Sequence, residues 1–123
     1  MKICITSQGD NLEAQVDPRF GRCPYFIIAD TDTLEFEAMQ NPSMGAMGGA
    51  GVQSGQFIAS RNVKAVLTGN VGPNAFQTLQ AAGIEIIIGA SGSIKEAIEK
   101  YNKGELKATD NPSVDRKFGM GQK

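Results

Sequence analysis

The chain has 123 residues, 41% hydrophobic and 20% charged, with 12 basic against 13 acidic side chains and a net charge of -1. That length suits one domain whose core can form unaided, and the charge balance gives no reason to expect nucleic acid or an anionic membrane as a partner. Histidine is absent, which removes Ser-His-Asp and Cys-His catalysis and every histidine-based metal site.

"KICITS" (residues 2–7) is short, apolar and β-branched, and reads as a first strand buried on both faces, hence central in its sheet. After the break at "QGDN", "PYFIIAD" (24–30) reads as a second strand and "TLEFEAMQ" (33–40) as a third, with Leu34, Phe36 and Ala38 alternating against Glu35, Glu37 and Met39. The Asp and Thr content of "ADTDT" between them predicts a tight turn and antiparallel pairing.

Residues 41–51, "NPSMGAMGGAG", form a glycine-rich loop without periodicity. It leads into "VQSGQFIASRN" (52–62), a first helix with Val52, Phe57 and Ile58 on one side. "VKAVLTGN" (63–70) is a fourth strand, "GPNAFQTLQAAG" (72–83) a second helix, "IEIIIGA" (84–90) a fifth strand and "SIKEAIEKYNKG" (93–104) a third helix. Ser93 with Glu96 predicts a capping box, and Gly104 stands where a C-terminal cap belongs. Three strands followed by helix-strand-helix-strand-helix predict an α/β fold with a mixed, ribonuclease H-like sheet: an antiparallel first half and a parallel second half. The expected single domain covers residues 1–107, and the polar stretch 108–123 reads as a flexible tail.

No signal-peptide succession opens the chain and no apolar run approaches membrane-spanning length, so a cytoplasmic location without membrane partners is the expectation. In such a reducing compartment Cys4 and Cys23 are expected as free thiols, with a disulfide between them left open. The first strand carries no acidic residue, and Asp30 and Asp32 fall in the turn, so a two-metal nuclease is not expected.

Ligands of open α/β sheets bind beyond the carboxyl ends of the strands, and three loops qualify. In "TGNVGPNAF" (68–76), Gly69 and Gly72 permit close backbone approach and Pro73 suits the first helical turn, whose amides favour an anion; the alternative is a plain strand-to-helix turn. "MGAMGGAG" (44–51) lacks the Lys-Ser/Thr ending of a nucleotide-triphosphate loop. It offers the thioethers of Met44 and Met47 as soft ligands, or else methionines that fold back on the core. In "PRFGRCPYF" (18–26), Arg19 and Arg22 flank Cys23 and are expected to lower its thiol pKa. Cys4, inside an apolar strand, reads as a small hydrophobe. Two cysteines without a CxxC spacing do not make a complete metal site, so Cys23 could supply at most one bond to a preformed cluster.

"DPRFGRCPYFIIAD", "GGAG" before a helix, "VLTGNVGPNAFQTLQAAGIEI" and "SIKEAIEKYNKGEL" resemble, in order and spacing, the dinitrogenase iron-molybdenum cofactor biosynthesis family. This group includes the nitrogenase accessory proteins NifX and NafY, the C-terminal part of NifB and small stand-alone homologues. The resemblance covers roughly residues 1–107. It implies a ribonuclease H-like fold without nuclease activity and a non-catalytic carrier or store for an iron-sulfur-derived or molybdenum-containing cluster, served by donor or acceptor proteins. Carried over by position, the implied site is Arg19, Phe20, Gly21, Arg22 and Cys23, the loop from Met44 through Met47, Gly48 and Gly49 to Gly51, and the turn containing Gly69, Asn70, Gly72 and Asn74. Many members have histidine in the first two regions, where this chain has Arg19 and Met44 or Met47, and several have alanine at the position of Cys23. These departures argue against a literal nitrogenase-assembly role and toward a different soft-ligand cluster. Two other readings compete: a regulatory module for a small organic or phosphate-bearing anion at Gly69–Asn74, and a thiol enzyme using Cys23, which lacks a histidine to activate it.

Overall fold

The computed structural model describes residues 1–43 and 49–109. In chain order its elements are β1 (Lys2–Ser7), β2 (Tyr25–Asp30), β3 (Phe36–Gln40), α1 (Ala50–Ala59), β4 (Ala65–Leu67), α2 (Pro73–Ala81), β5 (Glu85–Ile87) and α3 (Ile94–Asn102). The sheet order is β3-β2-β1-β4-β5, antiparallel from β3 to β1 and parallel from β1 to β5. This is the expected mixed α/β arrangement, with β1 at its centre.

Side chains on a strand alternate between faces, and both faces of this sheet are covered. Cys4, Phe26, Ile28, Val66 and Ile86 pack with Ile58 of α1 and Phe76 and Leu79 of α2. Their neighbours Ile3, Ile5, Ile27, Ala65, Leu67 and Ile87 pack with Ile94, Ala97 and Ile98 of α3. A strand buried on both sides has no polar alternation to show, which is why "KICITS" reads as nearly continuous apolar sequence.

The turn between β2 and β3 is built by Asp30, whose Oδ1 accepts hydrogen bonds from the amides of Asp32 (2.8 Å) and Thr33 (3.1 Å). Leu34 belongs to this turn, with φ of 65°, so β3 starts at Phe36, later than the sequence pattern suggests. Phe36, read as one of the alternating apolar positions, is 42% exposed on a strand at the sheet edge. At the other edge, Ala108 bridges Ile87 and the Thr109 amide donates to the Ile86 carbonyl at 2.8 Å. Two residues assigned to the tail thus pair with β5, because that strand's outer backbone needs partners. Residues 110–123 lie outside the described residues. No helix among those described is long and apolar enough to cross a membrane.

The N-terminus of α3 is fully tied down. Ser93 and Glu96 form the reciprocal capping box, and the amides of Ile94 and Lys95 donate to the carbonyls of Ala14 (2.8 Å) and Leu12 (3.0 Å) in the loop after β1. Gly104 follows the helix at φ of 74°, as a left-handed terminator should.

Candidate functional site

The segment 17–20 lies across the carboxyl ends of β1 and β4. The Asp17 amide donates to the Thr6 carbonyl (2.9 Å), Thr6 Oγ1 donates to the Asp17 carbonyl (2.6 Å), and Thr6 and Thr68 share a buried hydroxyl contact of 2.8 Å. The Asn70 amide then donates to the Pro18 carbonyl at 2.8 Å. Gly69 makes this crossing possible: a Cβ there would fall 2.6 Å from Pro18 Cα.

From this anchor the chain drops Phe20 into the core, against Phe26 with ring centroids 5.6 Å apart, and presses Gly21 onto α1. A Cβ on Gly21 would lie 3.0 Å from the Gly51 amide nitrogen, and one on Gly51 would lie 3.2 Å from Ala75 Cβ in α2. Small residues at three successive contacts thereby bring the 20–22 turn and the first turns of α1 and α2 together. Between residues 20–22, 49–51 and 72–75 they leave an open cleft of about 320 Å³.

Both helices present their N-termini to this cleft. Neither Gly49 nor Gly72 supplies a side-chain cap, and neither helix has an acidic residue in its first turn. α3, by contrast, has Ser93 as cap and Glu96 in its first turn. An N-terminus without a side-chain cap directs its first amides, and the positive end of its dipole, into the space before it. Two such ends face one cleft lined also by Arg22, an arrangement whose partial charges suit an anion.

Of the residues singled out in the sequence, Phe20, Gly21, Arg22, Gly49, Gly51, Gly72 and Asn74 line this cleft. Gly69 and Asn70 do not; they hold the 17–20 segment from behind. Met44, Met47 and Gly48 lie outside the described residues.

Arg19 and Cys23 take roles other than those expected. The Arg19 guanidinium donates to Asp17 through Nε (3.1 Å to Oδ1) and Nη2 (3.0 Å to Oδ2), and the Arg19 amide donates to Oδ1 at 2.8 Å. Its charge is therefore already met by a carboxylate, which also raises the guanidinium pKa, and it does not line the cleft. Cys23 is fully buried, its Sγ 3.4 Å from the Phe20 carbonyl. Desolvation first, and the Asp17 charge second, push its thiol up to about 12, overriding the lowering by backbone hydrogen bonds and by Arg19. The expectation of an arginine-activated thiolate is reversed, because flanking arginines in sequence say nothing of burial. Cys4 is likewise buried, and both cysteines are free thiols. Among the described residues no group of three or more Cys, Asp or Glu side chains could hold a metal ion.

Sequence reasoning missed a buried polar group behind the cleft. Asn41, Ser43 and Ser54 are all buried and hydrogen-bonded to one another. The signal was present in "NPS", a common turn opener, and in Ser54 on the inner face of a helix, where an unsatisfied hydroxyl would be costly.

A family model described as "Dinitrogenase iron-molybdenum cofactor" matches residues 1–104. An uncharacterized protein of Methanocaldococcus jannaschii is 31% identical over 109 residues, covering 86% of this chain and 89% of that one. Among solved structures, the apo form of the orange protein from Desulfovibrio gigas aligns with a TM-score of 0.89 at 34% identity, over 92% of this chain and 96% of that one. A Thermotoga protein provisionally assigned to NifB aligns at 0.77 and 35% identity, over 92% and 98%.

Proposed function

This chain belongs to the dinitrogenase iron-molybdenum cofactor family, and from that premise we propose that it binds and carries an anionic, iron-sulfur-derived or molybdenum-containing cluster without catalysing a reaction. The observation that carries this reading is the convergence of two helix N-termini lacking side-chain caps, with the 20–22 turn, on one cleft. The described walls offer amides and Arg22, while Cys23 is buried as a neutral thiol. The cargo best suited to them is a cluster that brings its own inorganic ligands and needs charge complementarity more than new metal-protein bonds. Met44 and Met47 precede α1 in the sequence, and on this reading one of their thioethers is the soft ligand to a bound guest. The cluster passes to and from donor or acceptor proteins in the cytoplasm.

Anaerobic reconstitution with iron, sulfide and molybdate or copper, followed by metal analysis and visible spectroscopy, tests this. A cluster retained in stoichiometric amount and released by Arg22→Ala supports it; absence of any retained metal overturns it. The same amides suit a smaller organic or phosphate-bearing anion, the second reading. Thermal-shift screening with such anions separates the two, since a ligand that binds only the folded state raises its apparent stability.

A further inference from the structure

We propose that Asn41 is a positioning residue that sets the width of the cleft by tying its 20–22 wall to helix α1. This inference rests on the functional reading of the cleft given above. Asn41 is 6% exposed and follows directly on β3. Its Nδ2 donates to the Cys23 carbonyl at 2.9 Å and the Gly21 carbonyl at 3.2 Å. Its Oδ1 accepts from the Ser43 amide and the Ser43 hydroxyl, both at 2.9 Å, and from Ser54 Oγ of α1 at 3.3 Å. The amide orientation is dictated by these neighbours: two carbonyls that only accept face Nδ2, and a backbone N–H that only donates faces Oδ1.

Ser43 completes the connection, with its hydroxyl 2.7 Å from Ser54 Oγ and 3.4 Å from the Ala50 carbonyl. One carboxamide thus holds the turn on its donor side and the first half of α1 on its acceptor side. No other common side chain of this size offers two donors and an acceptor in that geometry: aspartate lacks the donors, and glutamine is a methylene too long. The consequence for the cleft follows from the tight approach of Gly21 to Gly51. At that separation, a few tenths of an ångström between the turn and the helix change which guests can reach the first-turn amides. Asn41 does not line the cleft, so it acts on the guest only through this spacing.

The test compares wild type with Asn41→Asp, which keeps the shape and removes both donors, and with Ser54→Ala, which cuts only the direct link to α1. Two readouts are needed. Amide hydrogen exchange on ligand-free protein should accelerate about tenfold at residues 41 and 53, whose amides donate to the Pro24 and Gly49 carbonyls, in Asn41→Asp, with Ala97 and Ile98 of α3 unchanged. Ser54→Ala should give a smaller change at the same residues. Affinities for molybdate and tetrathiomolybdate, tetrahedral dianions of equal charge and different size, should then diverge. Their ratio should move about fivefold toward the larger ion in Asn41→Asp, which loses both hydrogen bonds from Nδ2 to the turn.

Acceleration spread evenly over all helices, or equal weakening of both anions, would assign Asn41 a merely structural role and overturn the proposal. If the wild type binds neither anion, the reading of the cleft as an anion site loses its support. The exchange data still decide whether Asn41 ties the two walls, and unchanged exchange at residues 41 and 53 refutes that on its own.

Discussion

Asp17, 1% exposed, holds the guanidinium of Arg19, 62% exposed, through both carboxylate oxygens at 3.1 and 3.0 Å. A pair that is half in solvent usually contributes little. Here the carboxylate is the buried partner, and losing Arg19 would remove both guanidinium bonds from it while the residue-19 amide still donates to Oδ1. We expect Arg19→Ala to destabilise the fold by about 2–3 kcal/mol in urea unfolding at neutral pH, more than a surface ion pair warrants. Its effect on anion binding should be smaller than that of Arg22→Ala, because only Arg22 lines the cleft. A loss below about 0.5 kcal/mol would show the pair to be an ordinary surface contact.

Cys23 links stability to alkaline pH. Burial chiefly pushes its thiol from the ordinary 9.0 up to about 12. Below about pH 9 the thiol is protonated in both states and its contribution is intact. As pH rises further the unfolded chain ionises first, so stability falls by up to about 1.4 kcal/mol per pH unit until the folded thiol also titrates. Cys23→Ala should flatten this loss in denaturation curves recorded between pH 8 and 10.5, whatever it costs at neutral pH. A mutant curve parallel to that of the wild type would place the titration elsewhere.

The order of strands and helices was legible because each element is short, carries either a single period or one apolar run, and is set off by turn or cap residues. Ser93, Glu96 and Gly104 mark α3 by local chemistry alone, and the structure uses all three as read. Ala108 and Thr109 carry no strand signal, and their pairing follows from the needs of β5, an element more than twenty residues away. The same distinction runs through the site. Glycines that mark backbone turns led to the cleft, whereas Arg19 and Cys23 were judged by sequence neighbours when their state depends on Asp17 and on burial. Asn41 and Ser54 stayed hidden because the bonds that join them to each other and Asn41 to Cys23 span thirteen and eighteen residues.

Gly69 supports the cleft without touching its guest. A Cβ there would meet Pro18 Cα at 2.6 Å and the Pro18 carbonyl at 3.1 Å, and backbone on both sides leaves no flexible side chain to yield. Gly69→Ala should therefore displace the 17–20 segment and lower stability by about 1–3 kcal/mol, the range for overpacking a well-filled site. Anion affinity should fall with it, because residues 20–22 follow that segment. Gly83, where a Cβ would meet nothing within 4 Å, provides the control: Gly83→Ala carries only backbone strain at φ of 76°, and should leave binding unchanged. Equal binding losses in both variants would show that stability, rather than the position of the turn, governs affinity.

Asn74 allows stability and binding to be driven in opposite directions. It is exposed in the first turn of α2, directly after Pro73, and lines the cleft. A carboxylate at that position interacts favourably with the helix dipole, by about 0.3–1 kcal/mol at low ionic strength. The same carboxylate places negative charge in front of the amides proposed to receive an anionic guest, competing for them and repelling it. Asn74→Asp should therefore unfold at slightly higher urea than the wild type while binding tetrathiomolybdate about tenfold more weakly at low salt, a loss that shrinks as salt screens the repulsion. Denaturation and binding titrations on the same samples, at low and physiological ionic strength, check both signs. A destabilised variant, or one that binds the dianion as well as the wild type does, would mean that the N-terminus of α2 is not the anion-facing wall of the cleft.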